Sequence, residues 1–327
     1  MEVPIGVVGA GRMGRGIALS YGYSGKSVAL LDLKERERAA WENLVDAGRT
    51  ELRADLNFLA SVQLLDETEV EDTLNRISHH PRDEADSVLP QCPIIYEAVP
   101  EVMTAKAAAF ALVSEAADPE AVIASTTSTF LVTELAKLVR NPERFMNAHW
   151  LNPAHLMPLV EISKSPQTSA EAIALLKGSL TAIGKQPVVC NASPGYIVPR
   201  IQALAMNEAA RLVEEGVASA EDIDRAIHYG FGPRFAVLGL LEFIDWGGGD
   251  ILYYASNYLS QAVDQRYQAP KVVVENMEQG RNGVRDGVGF FDYSGVDTGA
   301  YRKRRLGEFV ALMKHLDLLP KRPQRED

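Results

Sequence analysis

Between Asn147 and Ile162 the chain carries His149, Asn152, His155 and Glu161 within sixteen residues, interrupted by Pro153 and Pro158. Two prolines forbid a continuous helix, so the segment reads as strand, irregular loop, strand. His149 then falls at one strand end, and Glu161 lies near it on the neighbouring strand. A histidine held by a carboxylate has a fixed tautomer and a stabilised cation, the requirements of a general base. Taking the proton from a secondary alcohol while a hydride leaves its carbon calls for such a base. A lone histidine is more often a satisfied core or surface residue, so His149 gains meaning only from its neighbours. A metal site of His149, His155 and Glu161 is the competing arrangement. Its spacing matches no helical ligand motif, and no metal is expected.

A hydride needs an acceptor, and the N-terminus supplies a place for one. The run Ile5-Gly6-Val7-Val8-Gly9-Ala10-Gly11-Arg12-Met13-Gly14 is an apolar strand, a glycine-rich turn and a helix start. A second apolar run, Val28-Ala29-Leu30-Leu31, ends in Asp32. Gly9 permits the tight turn, Gly11 lets the backbone approach a pyrophosphate, and Gly14 lets the helix pack on the sheet. Met13 lies inside the same motif. The helix N-terminus offers free N–H groups and a positive dipole end to phosphates. Asp32 stands where a carboxylate meets the ribose hydroxyls, which favours NAD over its 2′-phosphorylated relative. Lys34 and Arg36 are expected to be solvated residues beyond the strand end.

The elements that must position these groups alternate. Candidate strands are Ile5–Val8, Val28–Leu31, Ile94–Glu97, Val122–Ser125, Phe145–His149, Leu159–Ile162 and Val188–Cys190. Helical patterns between several of them predict an α/β fold, a doubly wound, mainly parallel Rossmann-type sheet with helices on both faces. Residues 35–76 are polar and helical, an excursion without a strand. The character changes near residue 192. We expect residues 1–192 to form the dinucleotide-binding domain and 193–327 an all-helical domain. Helices are expected over 201–216, from a Ser219 cap, and around 238–244, 251–265, 270–279 and 300–316. The apolar faces of these helices suit a homodimer.

The composition excludes other classes. A formal net charge of -11 over 327 residues argues against a nucleic-acid partner, which needs a cationic footprint. No apolar run reaches the length of a membrane span. The two cysteines, Cys92 and Cys190, read as buried thiols in a cytoplasmic, reducing setting. The stretch from Pro320 reads as a frayed polar tail.

Further motifs accompany the two sites. They are Tyr96-Glu97-Ala98-Val99-Pro100-Glu101 followed by Lys106, Ser125-Thr126-Thr127-Ser128-Thr129, and Pro194-Gly195-Tyr196-Ile197-Val198. Met206-Asn207-Glu208-Ala209, Glu221-Asp222-Ile223-Asp224 and Gly287-Val288-Gly289-Phe290-Phe291-Asp292-Tyr293 follow. Together with the glycine motif and His149–Pro153 they span nearly the whole chain and resemble the L-3-hydroxyacyl-CoA dehydrogenase family. The Val-Pro-Glu form is similar to the branch holding lambda crystallin, L-gulonate dehydrogenase and carnitine dehydrogenase.

The resemblance implies roles. His149 matches the catalytic base and Glu161 the acid that orients it. Ser128 matches a serine touching the substrate oxygen and the nicotinamide region, and Asn152 an asparagine near the reacting centre. Glu101 and Lys106 match residues beside the cofactor's ribose; the plain alternative is a surface pair on a helix. The cofactor implied is NAD, and the substrate is a short 3-hydroxyacyl-CoA such as 3-hydroxybutyryl-CoA, lying in the cleft between domains. Three positions depart from the family. Pro199 replaces an asparagine that helps hold the substrate carbonyl, Phe58–Glu67 lacks a lysine that reaches the CoA phosphates, and Thr126 replaces an asparagine. The first two favour a small free hydroxy acid as the alternative substrate. A third reading is a non-catalytic, crystallin-like NAD-binding scaffold.

Overall fold

A computed structural model of the chain describes residues 3–319; the polar tail from Pro320 lies outside them. Eight strands form one sheet: β1 (Ile5–Val8), β2 (Val28–Leu31), β3 (Ile77–His80), β4 (Ile94–Glu97), β5 (Val122–Ser125), β6 (Phe145–Trp150), β7 (Leu159–Lys164) and β8 (Gln186–Asn191). Their order is β3-β2-β1-β4-β5-β6-β7-β8, parallel except for the β6–β7 pair. The doubly wound, mainly parallel sheet is therefore present. β1, β2, β4 and β5 are buried at every residue. That explains their unbroken apolar runs, since parallel strands covered on both faces have no polar side to show.

Alternation along these strands feeds two cores. Val7, Leu30, Tyr96 and Ala124 point to one face, where Ile17 and Leu19 of helix α1 (Arg12–Tyr23) pack. Val8, Leu31, Ile95 and Ile123 point to the other, against Phe110 and Val113 of helix Met103–Ala116. Strand order reverses between β1 and β4, so their carboxyl ends open a crevice where ligands of such sheets bind.

The polar excursion forms α2 (Arg38–Ser61) and α3 (Glu69–Asn75). α2 has 24 residues and buries only Gly48, Leu52, Leu56 and Leu59, a narrow stripe at helical spacing. The chain then returns as β3, a strand absent from the expected set. Ile77-Ser78-His79-His80 contains one apolar residue, because β3 is a sheet edge with one neighbour.

Tertiary contacts divide the chain after Leu204, within the helix Val198–Glu214. The second unit is helical. Ser219 accepts a bond from Asp222 N (3.1 Å) and caps Ala220–Ala226. That helix runs through a wide turn at Ile227–Phe231 into Gly232–Val237, two elements not expected from the sequence. Leu240–Gly247, Gly249–Ala262, Lys271–Glu278 and Thr298–His315 match the remaining expected helices. Buried Asp245 gathers the 287–293 motif, accepting from Phe290 N (3.0 Å), Phe291 N (2.9 Å) and Tyr293 Oη (3.2 Å).

Candidate active site

The crevice beyond β1 and β4 is a cavity of about 570 Å³, lined by Gly9, Gly11, Arg12, Asp32, Arg36 and Val99 among others. Gly9 has φ +110°, and a Cβ there would lie 2.6 Å from Ala98 O. A Cβ at Gly14 would lie 1.9 Å from Gly9 O, so this position closes helix onto turn. At Gly11 a Cβ would meet no protein atom within 4 Å, although the residue borders the cavity. Protein packing thus requires glycine at Gly9 and Gly14 and not at Gly11, which leaves room over the helix start. No side chain caps α1, so its first N–H groups face that room. Met13, expected at the cofactor, is half-buried against the core and does not line the cavity.

Asp32 is buried at the cavity wall, and its carboxylate accepts from Lys34 N (3.3 Å) and pairs with Arg36 Nε. Lys34 and Arg36 are exposed beyond the strand end as expected, and Arg36 in addition pairs with Asp32. An arginine four residues on reaches back to the strand-end acid.

His149 and Glu161 face each other across the antiparallel β6–β7 pair. Residues directly opposite share a sheet face, so the side chains meet. His149 Nδ1 lies 2.9 Å from Glu161 Oε2, with His149 only 6% exposed and Glu161 fully buried. The other carboxylate oxygen, Oε1, accepts from Ile197 N and Val198 N, each at 2.9 Å. Both oxygens of the buried carboxylate are thus partnered, as burial of a polar group demands. Nδ1 is committed to Glu161, leaving Nε2 as the nitrogen able to exchange a proton.

Ser128 is exposed on the turn after β5. Glu101 organises that turn: its Oε1 accepts from Ser128 N (3.1 Å), Thr129 N (3.0 Å) and the Thr127 hydroxyl. Burial pushes the Glu101 carboxyl up, but the Thr127 hydroxyl, Lys106 and Thr129 N outweigh it and hold the group below its ordinary value. Lys106 Nζ sits 3.2 Å from Glu101 and 3.0 Å from Glu97, with no accessible surface. The surface-pair alternative is thereby corrected. Neither residue lines the cavity; the Glu101 side chain is 38% exposed and Lys106 is sealed behind it.

Glu97, to which the sequence reading gave no role, is the hub of this group. It accepts both Lys106 bonds, Val99 N (2.9 Å) and Ser125 Oγ (2.5 Å). Glu97 and Ser125 are partners in the β4–β5 register. The available signal was an acid closing an apolar strand, the same pattern that singled out Asp32.

Asn152 is exposed and precedes Pro153 through a cis peptide. Its turn is pinned by Lys185, whose Nζ donates to Ala154 O (2.6 Å) and Met157 O (2.9 Å). Burial lowers the Lys185 ammonium to about 8. Asn152 and His155 line a second cavity of about 370 Å³ with Arg12, Arg15 and Asp55. His155 therefore does not join His149 and Glu161, and no cluster of three metal-binding side chains occurs among the described residues. Cys92 is buried, which raises its thiol to about 12, whereas Cys190 is only half-buried, not sealed as expected.

Comparison with known proteins places this geometry. Residues 4–193 match the NAD binding domain of 3-hydroxyacyl-CoA dehydrogenase, and residues 195–293 match its C-terminal domain. The chain belongs to the 3-hydroxyacyl-CoA dehydrogenase family. As a member, it is an NAD-dependent oxidoreductase acting on CH–OH. A 3-hydroxyacyl-CoA dehydrogenase structure from Archaeoglobus fulgidus superposes with a TM-score of 0.78 at 31% identity, covering 97% of this chain and 100% of that one. A probable 3-hydroxybutyryl-CoA dehydrogenase of Deinococcus radiodurans is 32% identical over 88% of this chain and 99% of its own length. A 5-formyl-3-hydroxy-2-methylpyridine 4-carboxylate 5-dehydrogenase of Mesorhizobium japonicum is 28% identical over 96% of this chain and 98% of its own.

Proposed function

We propose that this dehydrogenase oxidises the 3-hydroxyl of a short 3-hydroxyacyl-CoA, of the size of 3-hydroxybutyryl-CoA, to the 3-oxo product. The observation that carries the proposal is the buried His149–Glu161 pair in a family that uses NAD. The cavity fits the cofactor: Gly11 leaves space at an uncapped helix start, and Asp32 presents a carboxylate at the ribose position. When bound, NAD supplies the acceptor for the hydride leaving C3. His149 Nε2 takes the hydroxyl proton, and Glu161 balances the imidazolium so formed. Ser128 holds the substrate oxygen from the turn that Glu101 orders. Asn152 positions the group beside the reacting carbon.

A free hydroxy acid is the second reading, and two observations favour it. Pro199 lies in the first turn of Val198–Glu214, where proline suits a helix start but has no side-chain donor for a thioester. The M. japonicum relative is named for a free pyridine carboxylate. Turnover of NAD with 3-hydroxybutyryl-CoA and with free 3-hydroxybutyrate and related 3-hydroxy acids decides between them. Rapid turnover of the CoA ester sustains the first reading. Turnover of free acids alone replaces it with the second, and no turnover with any of them rejects both substrate readings.

We also propose a homodimer built on the second unit, acting in a reducing cytoplasm. Ile251, Tyr254 and Tyr258 form an exposed stripe on helix Gly249–Ala262, and both cysteines are free thiols. Light scattering giving a monomer mass would remove the dimer.

A further inference from the structure

Tyr196 belongs to a motif that neither the dyad nor the cofactor cavity accounts for. It follows Gly195, with φ +46° after φ +75°, so the chain makes a left-handed step that turns the ring inward. The ring stacks on the His149 imidazole with centroids 4.9 Å apart and planes 14° from parallel. Its hydroxyl donates to Thr127 O (2.7 Å) and accepts from Asn147 Nδ2 (3.0 Å). Burial raises the phenol above its ordinary value, so it remains a donor. The next two residues, Ile197 and Val198, give their N–H groups to Glu161 Oε1. Three consecutive residues thus touch the imidazole, its carboxylate and the turn that carries Ser128.

We propose that Tyr196 is a positioning residue that sets the orientation of the His149 ring and its spacing from the Ser128 turn. This rests on the reading of His149 as the proton acceptor. Glu161 fixes only Nδ1, and a ring held at one atom still tilts. A flat aromatic face against the imidazole removes that freedom and receives the cation formed on proton uptake. The hydroxyl bond to Thr127 O ties the ring to the backbone just before Ser128. Base and turn then keep one separation, and a misplacement near 1 Å costs about 10²-fold in rate.

Three variants separate the outcomes: Tyr196→Phe, Tyr196→Leu and His149→Gln. Each is assayed with NAD and the best substrate of the panel above, and scored by kcat, KM, NAD affinity and the primary deuterium isotope effect at C3. Tyr196→Phe keeps the stack and loses both hydroxyl bonds; kcat should fall about 10-fold while substrate KM and NAD affinity stay within twofold. Tyr196→Leu should lose about 10²-fold, with a larger isotope effect because the chemical step becomes slower. Independently of turnover, diethyl pyrocarbonate should modify His149 faster in Tyr196→Leu than in the parent, as judged by peptide mass. Parental kcat in both Tyr196 variants beside an inactive His149→Gln overturns the positioning role and leaves the base intact. A change confined to KM overturns it as well. If Tyr196→Leu does not fold, parental kcat in Tyr196→Phe is sufficient to reject it. Full turnover by His149→Gln rejects the reading beneath it.

Discussion

Glu161 spends one carboxylate oxygen on His149 and the other on two backbone amides, and so cannot turn away from the imidazole. Glu161→Gln keeps the shape but gives the side chain an NH2 that must face either the amides or Nδ1. Whichever it faces, a donor meets a donor, or the ring adopts the other tautomer. We expect kcat to fall by about 10²–10⁴-fold with NAD affinity unchanged. Steady-state kinetics and a cofactor titration check both halves.

Removing the proposed base outright should give a matching result. His149→Gln should lower kcat by about 10²–10⁴-fold and leave NAD binding within twofold of the parent. Turnover at the parental rate would assign His149 to structure alone.

We propose that Asp32 and Arg36 together set cofactor choice. With the carboxylate in place, Arg36 is engaged and a 2′-phosphate meets negative charge. The chain should prefer NAD. Asp32→Ala frees Arg36, so the ratio of kcat/KM for NAD over NADP should fall by at least about tenfold, the equivalent of one lost or gained charged hydrogen bond. An unchanged ratio would show that specificity resides elsewhere on the cavity wall.

The Glu97–Lys106 pair is buried on both sides. Lys106→Met strands a carboxylate in the core and should cost about 3–5 kcal/mol, read as a lower urea midpoint. Glu97→Gln combined with Lys106→Met removes both charges and should recover part of that loss. A double variant that is simply the sum of its singles would mean the two groups are not energetically coupled.

His79 lies on the edge strand β3, and burial first, then the charges of Arg49, His80 and Arg15, lower its imidazolium to about 4. The folded state therefore binds this proton less readily than the unfolded chain, whose value is 6.5. Stability from this group is complete above pH 6.5 and is lost as pH falls toward 4. His79→Phe should flatten the acid limb in that window relative to the parent, measured by melting temperature against pH. Parallel limbs would contradict the assignment.

The parts legible in the sequence are those where one local rule dominates. Buried parallel strands announce themselves as apolar runs, and the glycine turn shows because Gly9 and Gly14 answer to backbone geometry within a few residues. His149 and Glu161 were readable as a pair because the two prolines force strand–loop–strand and bring positions twelve apart together. β3 was not readable, since an edge strand of Ser78, His79 and His80 carries no hydrophobic pattern. Glu97, Lys106 and Tyr196 were visible as motif members but not as contacts. Their partners come from other elements, and no spacing rule links Tyr196 to Thr127, 69 residues away.

The narrow buried stripe of α2 divides the chain by tolerance to change. Leu52, Leu56 and Leu59 anchor the helix, while exposed Phe58 and Val62 near its end contribute little to the fold. Surface substitutions of that kind usually shift stability by no more than about 0.5 kcal/mol. Evolution can redraft this outer face without touching the dyad or the glycine turn. On the proposal that the outer face of α2 meets the substrate's handle, a change of handle would need substitutions there alone and would leave the His149–Glu161 pair as it is.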